Sequence, residues 1–174
     1  EKALLNVPLF HATGLLGSFV LPRVTAPGIV MISKWDAQEA LRLIEAERVT
    51  LFSSVPSLVK DLLTQPNIGD FDISSLHRVS SGGAAMPSDL PGIIEARIDK
   101  AYASGGYGLT ETLAVGSQAA GAVFDAKPAA AGVQSPIMHV RCTSTDGSVL
   151  PLGEPGEIEM QGVACTLGYW NKPD

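Results

Sequence analysis

The chain has 174 residues, enough for one good core or two small ones. Hydrophobic residues make up 45% and charged residues 17%, which describes a globular chain and not a disordered one. The net charge of −6 leaves no footprint for DNA, RNA or an anionic membrane, and no apolar run nears the roughly 20 residues of a membrane span.

The chain starts at Glu1 with no signal peptide in view, and Gly168 to Asp174 stop without a clear finish. The expectation is an internal piece of a longer, cytoplasmic protein. Cys142 and Cys165 stand at no metal-ligand spacing and read as reduced, buried thiols.

Leu4 to Leu9 is a short apolar run broken by Pro8 and ending at Phe10-His11. Ala12 to Leu21 reads as a helix stopped by Pro22, with Gly14, Gly17 and Ser18 leaving one face without bulk. Gly28 to Ser33 reads as a buried strand. Asp36-Ala-Gln-Glu39 has the capping-box pattern, and Ala40, Leu41, Leu43 and Ile44 give the apolar stripe of a helix to about Arg48.

Val49 to Ser53 is a further strand, and Pro56 opens a helix through Leu63. Pro66 to Asp70 marks a surface loop. His77 to Ser81 is the next strand, Ser88 is placed to cap a helix from Asp89 to about Ile98, and Ala101 to Ser104 follows as another strand. This alternation argues for an α/β fold with a parallel, helix-flanked sheet.

After Leu113 the composition shifts. Ala119 to Gly132 holds seven alanines without a strong period and reads as loop-rich. Met138 to Thr143 and Gly156 to Gln161 are short strands, with a turn at Asp146-Gly147. The expected division is residues 1–117 as an α/β subdomain and 118–174 as a small β-rich unit. Met31 and Met86 read as core filler, and His77 and His139 as structural.

The stretch with most chemistry is Gly105 to Thr112, G-G-Y-G-L-T-E-T. Its glycines let a ligand approach the backbone, and a tyrosine ring offers a face to a flat heterocycle. A threonine hydroxyl can donate to a phosphate oxygen, and a carboxylate is a hard oxygen ligand that suits Mg²⁺. The same run also reads as a strand ending in a glycine-rich turn, with Thr110 and Glu111 merely capping the next segment. A dinucleotide-binding fingerprint fails here, because G-x-G-x-x-G spacing is absent.

Four motifs in order resemble those of the adenylate-forming acyl-CoA synthetases, the AMP-binding enzymes related to firefly luciferases and peptide-synthetase adenylation domains. Pro8-Leu9-Phe10-His11-Ala12-Thr13-Gly14 is similar to the family's aromatic-histidine motif, and Ser81-Gly82-Gly83-Ala84 to its adenine loop. Tyr107 to Thr112 resembles its most specific signature. Gly153 to Ile158, continuing to Gly162 and Gly168-Tyr169-Trp170, resembles the structural motif of its barrel. That resemblance implies that 118–174 is part of a small β-barrel with Tyr169 and Trp170 packed in it, and that 1–117 is the acyl- and nucleotide-binding subdomain.

The resemblance implies a ligase that activates a carboxylic acid with ATP as an acyl adenylate and passes the acyl group to CoA. A carrier-protein thiol stays open as the acceptor. It implies that Thr110 bonds the α-phosphate, that Glu111 holds Mg²⁺, and that Ser81, Gly82, Gly83, Ala84, Gly106, Tyr107 and Gly108 hold ATP or AMP, with Tyr107 stacked on adenine. His11 would orient the carboxylate at the mouth of a pocket lined from Ala12, Gly14, Leu15, Val55, Ser81 and Gly106. Taken alone, without its motif, His11 reads first as a core histidine bonded to a carbonyl.

Amino-acid-activating relatives carry an aspartate where His11 stands, so a simple acid is favoured, a fatty acid first, with aryl and branched acids open. The family's phosphate loop, ribose-binding aspartate and catalytic lysine have no counterpart in these residues. The chain alone is therefore expected to be inactive, because removing members of a cooperating set costs most of the rate. A non-catalytic module for nucleotide sensing or protein contact on the same fold is the alternative. Unpaired sheet edges predict self-association.

Overall fold

Five short strands alternate with helices along the first two thirds of the chain. Parallel neighbours need such crossovers, and here they have them. The computed structural model describes residues 1–20, 23–24 and 28–172. The predicted helix end at Leu21, its stop at Pro22, and the terminal Pro173-Asp174 lie outside the described residues.

The strands are β1 (Lys2–Leu5), β2 (Gly28–Met31), β3 (Leu51–Ser54), β4 (Arg78–Gly82), β5 (Tyr102–Tyr107), β6 (Ser117–Ala120) and β7 (Val133–Gln134). They form one sheet in the order β2-β1-β3-β4-β5-β6-β7. Pairing is parallel from β2 to β5 and antiparallel for β6 and β7. The helices are α1 (Ala37–Glu47), α2 (Pro56–Leu63), α3 (Leu90–Arg97) and the short α4 (Ala122–Ala126), with a π-helical segment at Thr13–Val20.

Leu4, Phe52 and Val79 stand opposite one another on β1, β3 and β4. They share one core with Leu41 and Ile44 of α1, Val59 and Leu62 of α2, and Leu90 and Ile94 of α3. Each large side chain contributes roughly 1.5–3 kcal/mol by leaving water. Trp35 stacks on Phe52 at 5.8 Å between ring centres, and its indole N–H donates to Asp61 at 2.7 Å. Because side chains alternate across a strand, the next residue on each of these strands turns the other way. On β3 and β4 those are Ser53 and Ser80, and Ser104 of β5 stands in register with Ser80. One face of the sheet is thus apolar under the helices, and the other is polar where the strands end.

Several expectations need correcting. Asp36 does cap α1, accepting from the Glu39 N–H at 3.0 Å. Glu39 does not reach back, because both its oxygens are taken by Arg42 one turn on. Ser88 is not a cap. Asp89 holds the N-cap position of α3 without a side-chain bond, its carboxylate drawn to Lys60. β5 runs on to Tyr107, so Gly105 and Gly106 are strand residues and not a turn.

The passage read as loop-rich contains part of β6 and all of α4. The boundary expected after residue 117 therefore falls inside a strand. The change of sheet comes between Gln134 and Met138, where β8 (Met138–Thr143) and β9 (Glu157–Gly162) pair as a separate antiparallel hairpin. Asp146-Gly147 does turn, with the Gly147 N–H bonded to the Ser144 carbonyl at 2.9 Å. Met31 is exposed on the edge strand, Cys142 and Cys165 are half-buried, and Tyr169 and Trp170 are exposed. No helix among the described residues is long and apolar enough to cross a membrane.

Candidate active site

Parallel sheets place ligands beyond the carboxyl ends of their strands, where the connections splay apart. Here β3, β4 and β5 end in Ser53-Ser54, Ser80-Ser81-Gly82 and Gly105-Gly106-Tyr107. Two cavities of about 500 and 490 Å³ open at this end. Ser81, Gly83, Gly105, Gly106, Gly108 and Leu109 line both, so the two are neighbouring compartments with common walls.

The first cavity receives Thr110 and Glu111 from the tight turn at Thr110–Thr112. The turn is held from within. The Leu109 N–H donates to the Thr112 hydroxyl at 3.0 Å, and the Ala114 N–H donates to the Leu109 carbonyl at 2.7 Å. Thr112 is buried and spent on this bond, which leaves Thr110 and Glu111 on the exposed side. Leu113 and Ala114 take the left-handed conformation, with φ of 52° and 61°, to bring the chain back into β6.

Glu111 accepts a hydrogen bond from the Tyr169 hydroxyl at 2.8 Å. This bond first, and a bond to its own backbone second, hold its carboxyl below the usual carboxylate range. The phenol of Tyr169 is pushed up by the same contact. Glu111 is therefore an anion at neutral pH. His11 and Ala12 line the same cavity from the other side, together with Thr13 and Leu16 at the start of the π-helical segment. The Thr13 N–H donates to Nδ1 of His11 at 3.2 Å, which puts the proton of the neutral ring on Nε2.

The second cavity is lined by Ala84 and Tyr107, with Met86 and the Pro128–Ala131 stretch closing it. Gly83 adopts φ of 79°, a conformation open chiefly to glycine, and this swings Ala84 and Ala85 over the compartment. Gly82 and Glu111 thus share one compartment while Tyr107 lines the adjoining one. Gly14, Leu15 and Val55 line neither cavity. A methyl group on Gly14 would run into the Val7 and Pro8 carbonyls, so its smallness seats the helix on its own chain.

Residue types alone missed Ser53 and Ser80, whose period-two placement beside Phe52 and Val79 was a usable signal. They also missed Gln118, Ser135 and the Pro128–Ala131 stretch, which carry no local pattern. The Ser81 hydroxyl is buried and has no partner among the described residues, although it borders both compartments. A buried hydroxyl without a partner is costly, so a bound ligand atom would stabilise it.

Among the described residues no three His, Cys, Asp or Glu side chains converge as a metal cage. Mg²⁺ seldom uses one. It is held by one or two carboxylates together with substrate phosphates and water, and a single ionised Glu111 beside the Thr110 hydroxyl fits that habit.

Residues 1–170 match the family profile of the AMP-binding enzymes. The chain is 36% identical over 176 residues to a feruloyl-CoA synthase of an Amycolatopsis species, covering 100% of this chain and 35% of that protein. It is 31% identical to 4-coumarate–CoA ligase 1 of Solanum tuberosum, over 97% of this chain and 32% of that one. The inhibitor-bound N-terminal domain of FACL13 from Mycobacterium tuberculosis superposes with a TM-score of 0.87 at 26% identity, covering 99% of this chain and 42% of that domain. The chain thus spans about a third of the length of the curated relatives it matches.

Proposed function

Because the chain belongs to the AMP-binding enzyme family, we propose that it forms the central part of an ATP-dependent acid–CoA ligase, AMP-forming and cytoplasmic. The observation that carries this reading is the meeting of Thr110, Glu111 and His11 in one cavity at the carboxyl ends of β3 to β5. The next compartment offers a glycine-backed slot beside Tyr107 for a purine.

The chemistry follows from position and charge. His11 orients the acid's carboxylate toward the α-phosphorus of ATP. Thr110 donates to an oxygen of that phosphate. Glu111 would hold Mg²⁺, which when bound neutralises phosphate charge. The backbone of Gly82, Gly83 and Ala84 lies along adenine, and Tyr107 stacks on it. Attack in line gives the acyl adenylate and pyrophosphate, and the CoA thiol then displaces AMP.

The acid carries no ammonium group, because His11 is a poor partner for a cation. A fatty acid is the first reading. An arylpropenoic acid is the second, favoured by relatives named for feruloyl and coumarate substrates and by a cavity lined with Thr13, Ser53, Ser80, Ser81, Gln118 and Ser135.

The test is carboxylate-dependent exchange of labelled pyrophosphate into ATP by the full-length protein across fatty, aryl and amino acids. Exchange is expected with fatty or aryl acids and not with amino acids, and Glu111→Gln is expected to lower it about a hundredfold. The 174-residue chain alone is expected to give none. Silence from the full-length protein with every acid would end the ligase reading.

A further inference from the structure

Glu111 is held at two points by one short segment 58 residues downstream. The Tyr169 hydroxyl donates to its Oε1 at 2.8 Å, and the Thr166 backbone N–H donates to its carbonyl oxygen at 2.7 Å. The segment is itself anchored. Met160 of β9 lies so close to Gly116 that a methyl group there would come within 2.8 Å of its Cε. The Cys165 N–H donates to the Gly162 carbonyl at 3.1 Å, which turns the chain back toward the cavity.

We propose that Tyr169 is a positioning residue for Glu111. Its hydroxyl occupies Oε1 and fixes the carboxylate in one orientation, leaving Oε2 as the oxygen offered to a divalent cation carried by the nucleotide. This rests on the assignment of Glu111 to the cation. A lone phenol bonded to an exposed carboxylate would compete with water and do little. The Thr166 bond changes that, because it sets the distance between the two segments before the side chains meet. The hydroxyl is delivered in place, and little further freedom is lost when it bonds. A carboxylate has about four acceptor sites, so one donor leaves room for a metal. The Tyr169 hydroxyl is the one side-chain donor to this carboxylate among the described residues, and it bonds Oε1.

The experiment uses the full-length protein and Mn²⁺ as a paramagnetic stand-in for Mg²⁺. Electron paramagnetic resonance reads Mn²⁺ affinity in the presence of α,β-methylene-ATP, which is not turned over, for wild type, Tyr169→Phe, Glu111→Gln and the double variant. Steady-state assays supply KM for the metal–ATP complex and for the acid. Tyr169→Phe should weaken Mn²⁺ binding about three- to tenfold, raise KM for the complex, and leave KM for the acid unchanged. Glu111→Gln should weaken it further, and adding Tyr169→Phe to it should cost nothing more.

Unchanged or tighter binding in Tyr169→Phe, or additive losses in the double variant, would overturn the proposal while Glu111 keeps its role. If Glu111→Gln also left Mn²⁺ affinity untouched, both the positioning role and the cation assignment would fall.

Discussion

Gly82 and Gly108 both line the first cavity, for different reasons. A methyl group on Gly108 would overlap the backbone of Ala114, where the chain doubles back to start β6. On Gly82 it would meet only the Gly106 carbonyl at 3.6 Å, an ordinary contact. The fold requires Gly108 and merely tolerates Gly82. Gly108→Ala is therefore expected to lower stability by about 1–3 kcal/mol in urea unfolding. Gly82→Ala should unfold within about 1 kcal/mol of wild type, because nothing there is crowded. If a purine lies against Gly82, the same change should still weaken AMP binding by the full-length protein about tenfold in calorimetry. Wild-type affinity would remove adenine from that wall. The sequence shows which residues can do chemistry, and Thr110, Glu111 and His11 do meet in one cavity. It does not show that Tyr169 reaches Glu111, because an exposed aromatic in an aromatic pair carries no mark of a partner so far away.

Helix ends make the corresponding case among elements. Asp36 and Ser88 both stand where a cap belongs, yet only Asp36 bonds an orphan N–H. The difference lies in the chain around them. The backbone at Asp36 is extended, with φ of −150° and ψ of 119°, and this aims its carboxylate at the Glu39 N–H. Ser88 sits one residue before Asp89, whose helical φ and ψ already belong to the turn leading into α3. Asp36→Ala is expected to cost about 1 kcal/mol in thermal unfolding, and Ser88→Ala close to nothing. Equal losses would contradict the assignment. The same contrast explains what could be read of the fold in advance. β2 to β5 and α1 to α3 carry their own apolar residues and turn signals, and all are found within a few positions of expectation. β6, β7 and α4 lie in alanine-rich sequence with no period. Their shape comes from the edge of β5, which offers unpaired backbone groups that any extended neighbour can satisfy.

At the scale of the molecule, two uncovered surfaces among the described residues bear on association. One is the edge strand β2, where Met31 is 66% exposed. The other follows the β8–β9 hairpin, where Val163, Leu167 and Trp170 are 85%, 108% and 91% exposed. Large apolar residues crowded into so short a stretch exceed the scattered exposure normal for a monomer. β2 is only four residues long, begins at a glycine and is flanked by Lys2 of β1, so it makes a poor template for pairing. The 163–170 stretch has no such protection. The 174-residue chain is therefore expected to self-associate in sedimentation velocity at high micromolar concentration. Leu167→Ser with Trp170→Ser should shift it toward monomer, whereas Met31→Lys should leave it associated. A clean monomer in the unmodified chain would sink the argument outright. Rescue by Met31→Lys alone would move the contact to the sheet edge and make it a matter of backbone pairing, not apolar burial.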